Sequence, residues 1–184
     1  MDVAPLADRR RHNSMVILRK PVARLTAAAL ERFLTRARRA VKLRGTVNVL
    51  VATSGELRML NRRFRGLDKP TDVLSFAPLP DQDSKFAGDL AVSADMAARN
   101  ARLLGHPPAA EVKLLVLHGL LHLAGYDHES DSGEMARREE RLRQQLGLPS
   151  ALIGRGQGAS RRPGREPHRP QAARAATAAR RRLR

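Results

Sequence analysis

The stretch His118-Gly119-Leu120-Leu121-His122-Leu123-Ala124-Gly125-Tyr126-Asp127-His128 constrains this chain more than any other, because it holds three of the six histidines at metal-ligand spacing. In a helix, positions i and i+4 lie one turn apart on one face, so His118 and His122 can offer two imidazoles to one ion. Gly125 supplies the stop. A glycine just past a helix end adopts the left-handed conformation at little cost and folds the chain back, which brings His128 toward the same point. Two such histidines alone are equally compatible with satisfied core residues; the third, placed behind a glycine, turns the reading to a metal site. Three protein ligands leave a position open for water, the arrangement of a catalytic zinc centre. Structural zinc sites are closed by four ligands, usually including cysteine, and this chain has none.

The residue after the first histidine narrows the chemistry. Zinc proteases with the same histidine spacing carry a glutamate there as general base, whereas this chain has Gly119, which can take no proton. A metallopeptidase is therefore the alternative rather than the leading reading. Three neutral imidazoles also leave the double charge of the ion uncompensated, which favours anionic substrates. The chain agrees: 35 Lys+Arg against 18 Asp+Glu give a formal net charge of +17, suited to a polyanion such as nucleic acid. Residues 151–184 hold ten arginines and one acid, Glu166, and so carry about +9 of that total. Their composition cannot bury enough apolar surface to offset ordering, so 151–184 reads as a disordered Arg-rich tail, either an RNA-binding arm or a solvated extension.

Residues 15–150 suffice for one domain, preceded by a flexible 1–14 segment. The lack of cysteine rules out disulfides, and no apolar run reaches the ~18 residues of a membrane span. A cytoplasmic protein with no membrane contact and no small-molecule cofactor is expected. With no Trp, one Tyr and four Phe, a platform for base stacking is poorly supplied.

Periodicity predicts a strand at Met15–Leu18 and a helix from Thr26 to Ala40 with Leu30, Phe33, Leu34, Ala37 and Val41 inward. A strand follows at Val47–Ala52, then a helix to Arg63 opened by a Thr53/Glu56 capping box. Strands at Asp72–Phe76 and Leu90–Val92 flank a loop over Pro78–Ser84. Helices are expected from Ser93 to Leu104, from Ala109 to Leu123, and to Leu146 after an Asp131/Glu134 capping box. The order β-α-β-α-β-β-α-α-α makes this an α+β, single-domain chain with helices packed on a small mixed β-sheet.

Three stretches then carry a resemblance: residues 60–76 (LNRRFRGLDKPTDVLSF), residues 88–93 (GDLAVS), and the histidine stretch with Met135 and Glu139 behind it. Together they resemble the YbeY family of bacterial metal-dependent endoribonucleases. The resemblance implies a zincin-like fold, one Zn²⁺ per chain on His118, His122 and His128, and an arginine needed for activity at Arg65. It further implies single-strand-specific cleavage in ribosomal RNA maturation at the 3′ end of 16S rRNA and in ribosome quality control. The implied partners are rRNA precursors, ribosomal particles and ribosome-associated proteins; a noncatalytic ribosome-assembly factor is the other alternative.

Arg65 also has a physical reading, since a guanidinium binds phosphate oxygens bidentately and offsets charge developing in a transition state, against the plain alternative of a surface-loop arginine. Lys69 and Ser75 are weaker substrate-contact candidates, and turn or strand-start chemistry is the simpler account of Thr71, Asp72 and Ser75. Asp127 either fixes the tautomer of a ligand histidine from behind or closes the turn after Gly125. Glu139 pairs with an arginine such as Arg65 or Arg143, or only stabilises its helix. His12, His106 and His168 read as surface residues.

Truncation after Ser150 is expected to leave fold and metal binding intact while weakening RNA binding at low salt. The check is the slope of log affinity against log salt, and an unchanged slope would remove the tail from RNA binding.

Overall fold

The computed structural model describes residues 14–79, 85–127 and 131–150. The N-terminal segment 1–13, most of the Pro78–Ser84 loop, the histidine at 128 and the tail 151–184 lie outside the described residues, as do His12 and His168. All described residues fall within one compact unit, Met1–Leu152.

The elements are β1 (Val16–Leu18), α1 (Ala27–Val41), β2 (Thr46–Ala52), α2 (Ser54–Arg65), β3 (Val73–Phe76), β4 (Phe86–Ser93), α3 (Ala94–Leu104), α4 (Pro108–Leu123) and α5 (Glu134–Leu146). The strands form one sheet in the order β1-β2-β4-β3. β1 and β4 flank β2 in parallel, and β3 pairs antiparallel with β4, so the sheet is mixed and the expected α+β class holds. The largest departure from the sequence reading is β4, which begins at Phe86 rather than Leu90. Gly88 and Asp89 are poor strand formers, but parallel pairing with Val47 and Asn48 of β2 overrides local preference. Gly88 is needed there, for its φ is +135° and an added Cβ would lie 2.5 Å from the Phe76 carbonyl oxygen.

Alternation on the strands divides the molecule into two apolar layers. Val47, Val49 and Val51 of β2, with Leu90 and Val92 of β4, face the main core, closed by Leu30, Phe33 and Leu34 of α1 and Val116, Leu117, Leu120 and Leu121 of α4. On the other face, Ala52, Leu74 and Ala91 meet Leu57 of α2 in a smaller cluster. The buried stripe of α1 consists of the five residues that periodicity selects. α4 is apolar on nearly all sides and is accordingly the most enclosed helix.

Local capping fixes the helices that matter for the site. Thr53 accepts from the Glu56 N–H while Glu56 Oε2 accepts from the Thr53 N–H, and this box starts α2. The Thr53 N–H, with the Arg19 guanidinium and the Thr53 hydroxyl, holds the Glu56 carboxyl down at about 2. Gly66 ends α2 in the left-handed region directly after Arg65. Gly125 (φ +88°) ends α4 as its sequence position suggests, with Tyr126 N–H donating to the Leu121 carbonyl at 3.0 Å. At α5 the expected capping box is replaced: Gly133 is the N-cap, and Asp131 reaches forward to accept from the N–H groups of Gly133 and Met135, each at 2.7 Å.

α4 lies close against the sheet at Gly119. An added Cβ would lie 2.7 Å from Leu90 Cδ2 and 3.1 Å from Ser75 Oγ. Gly119→Ala should therefore lose stability, because overpacking at a buried contact costs about 1–3 kcal/mol and alanine's helix advantage returns only about 1 kcal/mol. Urea unfolding measures the difference, and a variant as stable as the parent would contradict the close packing.

Candidate metal and RNA site

α4 carries His118 and His122, both half-buried, one turn apart near its C-terminal end. Their Nε2 atoms stand 3.1 Å apart, with ring centroids 4.8 Å apart and the planes at 76°. Two ligands of one tetrahedral zinc at ~2.0–2.1 Å would sit ~3.3 Å from each other. The observed separation is close to that of two imidazole donors to a single cation, and imidazole nitrogen is a donor that suits zinc. Among the described residues no group of three or more His, Asp and Glu side chains forms a metal cluster, the third motif histidine lying outside them.

Behind the pair stands a carboxylate that sequence reasoning did not place there. Glu139 of α5 is 8% exposed, and its Oε2 lies 2.9 Å from His118 Nδ1. Its other oxygen accepts from Arg143, with Nε at 3.0 Å. Burial pushes the Glu139 carboxyl up, but the His118 hydrogen bond and the Arg143 charge outweigh it and hold the group below its ordinary range. A carboxylate at Nδ1 keeps the proton on that nitrogen and leaves the Nε2 lone pair for a cation, so Glu139 fixes the tautomer that metal binding requires. The clue was available: Glu139 lies four residues after Met135 and three before Leu142, on the buried side of its helix. Of the sequence alternatives for Glu139, pairing with Arg143 is the one observed.

A cleft of about 700 Å³ opens over the imidazoles, lined by His118 and His122 on one side and by Arg65, Thr71, Asp72 and Ser75 on the other, with Asp127 at its edge. Arg65, the last residue of α2, is exposed and shares this cleft with the histidines. The loop behind it is tied down, since Asn61 Nδ2 donates to the Lys69 carbonyl at 2.9 Å and Arg58 clamps Asp68 through two bonds of 2.7 and 3.1 Å. Lys69 itself is exposed and absent from the cleft lining. Ser75 lines the cleft, its hydroxyl donating weakly to the Gly119 carbonyl at 3.4 Å.

Asp72 accepts from the Val73 N–H, and the Thr71 hydroxyl meets the Val73 carbonyl, which is strand-start chemistry. Asp127 accepts from the Asp131 N–H through its backbone carbonyl at 3.0 Å. His106 departs from its surface assignment. Its side chain is only 11% exposed, with Nε2 3.1 Å from Glu111 at the start of α4, because the turn at Pro107-Pro108 folds it onto that helix.

A mixed sheet with helices on both faces and two converging imidazoles beside an arginine-lined cleft defines an α+β protein built around a histidine site. A family model described as Endoribonuclease YbeY matches residues 9–147, and the chain belongs to that family. Proteins named Endoribonuclease YbeY from Koribacter versatilis (strain Ellin345) and Solibacter usitatus (strain Ellin6076) are 54% and 44% identical over 141 and 142 residues. Each alignment covers 77% of this chain, with 91% and 94% of the respective relatives. Another, from Nautilia profundicola, is 46% identical over 109 residues, covering 59% of this chain and 78% of that protein.

Glu139→Gln removes the charge behind His118 at nearly constant volume. Zinc affinity, measured by competition with a chromogenic chelator, should fall roughly 10–100-fold; an unchanged affinity would reduce Glu139 to a partner of Arg143 alone.

Proposed function

We propose that the protein is a single-strand-specific, metal-dependent endoribonuclease acting in ribosomal RNA maturation and ribosome quality control. The observation that carries this reading is the convergence of His118 and His122 in a cleft that Arg65 also lines. The relatives' shared name, endoribonuclease, supports RNA as the substrate class. His118, His122 and, by the spacing of the motif, His128 would hold one Zn²⁺, which when bound supplies Lewis-acid polarisation of a phosphoryl oxygen.

The chain's own residues have distinct tasks. Glu139 holds His118 in one tautomer and orientation, so the site needs little reorganisation when substrate arrives. Arg65 donates to the non-bridging oxygens of the scissile phosphate and offsets the charge that develops there. Ser75, and more remotely Lys69, contact the strand. Asp127, at the cleft edge, supports a ligand histidine. Gly119 supplies no carboxylate at the position after His118, where a peptidase carries its general base, and its packing against Leu90 and Ser75 leaves no room for one, which counts against the peptidase alternative.

The 15–150 segment is the catalytic domain, 1–14 a flexible lead and 151–184 a basic arm that strengthens capture of ribosomal RNA. No described helix is long and apolar enough to cross a membrane. A cytoplasmic location, with rRNA precursors, ribosomal particles and ribosome-associated proteins as partners, completes the reading.

The test is cleavage of single-stranded and structured ribosomal RNA by purified protein, beside His122→Ala and Arg65→Ala prepared identically, each with and without chelator. Activity should vanish in both variants and in chelator and return with zinc. Equal cleavage by all three proteins would expose a contaminant and overturn the assignment. Absence of cleavage by a wild type that holds its metal would also overturn it, in favour of a peptidase or assembly factor.

A further inference from the structure

The second face of the sheet is only partly covered. α2 lies over Ala52, Leu74 and Ala91 and buries them with Leu57. The next row, Asn48 on β2, Asp89 on β4 and Phe76 on β3, sits in register one step further along and is left open, as is Ile17 on β1. The result is a groove of about 430 Å³ with a sheet floor and with Leu60 and Phe64 of α2 as its wall. That volume is within the ~300–1,000 Å³ typical of small-ligand clefts. Of the seven large apolar side chains exposed among the described residues, Met15, Ile17 and Phe64 line this groove.

Three features say what the groove suits. Phe64 and Phe76 line both it and the histidine cleft, so the two adjoin across these rings. The rings meet edge to face with centroids 5.2 Å apart, and Phe64 stays 58% exposed with the Arg63 guanidinium 5.4 Å from its centroid. The floor is mainly apolar but carries one polar pair, in which Asn48 Nδ2 donates to Asp89 Oδ1 at 3.0 Å and Asp89 is exposed. An aromatic platform with a cation against one ring and a hydrogen-bonding pair in the same groove are features that hold an unstacked base and its phosphate.

We propose that this groove seats an unstacked nucleobase of the RNA strand whose phosphate lies in the histidine cleft, with Phe64 as the stacking residue. The inference rests on the endoribonuclease reading and adds a base subsite to it. Phe64 and Arg65 are consecutive at the end of α2, so one helix terminus serves base and phosphate of neighbouring positions on one strand. A paired base keeps its stack and cannot enter, which gives a physical origin for selecting single strands.

The experiment compares binding of the full-length protein to a 2′-O-methyl single-stranded RNA and to a strand of equal length with every base removed. The wild type should prefer the base-bearing strand. Phe64→Ala should lose roughly tenfold on that strand and nothing on the abasic one, with the salt slope unchanged, while Phe64→Tyr should restore the preference. Phe64 is mostly exposed, so its replacement spares the core. Equal preference in the wild type and Phe64→Ala, while the wild type still binds and cleaves RNA, overturns the base subsite alone and leaves the groove to a protein partner. If the wild type binds neither strand and cleaves no RNA, the endoribonuclease reading falls and the subsite with it.

Discussion

The close contact of α4 with the sheet at Gly119 is the constraint on which the rest of the site depends. A helix apolar on nearly every side can be stable only where it is enclosed, and here it is held between α1, α3 and the inner face of β3 and β4. Without a side chain at Gly119 the backbone settles against Leu90 and Ser75, and this sets the height at which His118 and His122 emerge. Rigid placement of this kind is what a metal site needs, because imidazoles that must first be ordered bind an ion more weakly. The glycine that sequence reasoning treats as a missing base is thus a packing device with a chemical by-product.

Elements with strong periodicity were legible in the chain. The inward stripe of α1, the Thr53/Glu56 box and the stop at Gly125 all follow from residue types at set spacings, and each is found in the fold. Reading failed where distant pairing overrides local preference. β4 runs through Gly88 and Asp89 because β2 supplies its hydrogen bonds, a fact invisible in a window of a few residues. Asp131 caps α5 from two residues before the N-cap, a geometry that capping-box spacing does not describe. His106 is drawn inward by Glu111, five residues on, through a turn that pairs of prolines do not specify.

For the site, spacing singled out His118 and His122, and family resemblance singled out Arg65; the cleft brings all three together. The Arg143 partner of Glu139 was legible but its His118 partner was not, because a glutamate among arginines on a polar helix looks like a surface ion pair. Only the packing of α5 against α4 reveals that its two oxygens divide between an imidazole and a guanidinium. The aromatic count also says nothing of placement: of the four phenylalanines, Phe64 and Phe76 meet edge to face.

Glu139 belongs to the last described helix, and this orders events during synthesis. A nascent chain that has produced the sheet and α4 already has two histidines of the motif, but the carboxylate that orients His118 arrives only when α5 has been made and has docked. Until then the imidazoles lack their fixed tautomer. For a member of an endoribonuclease family, such a sequence of assembly leaves the histidine site unfinished until the last described helix is in place.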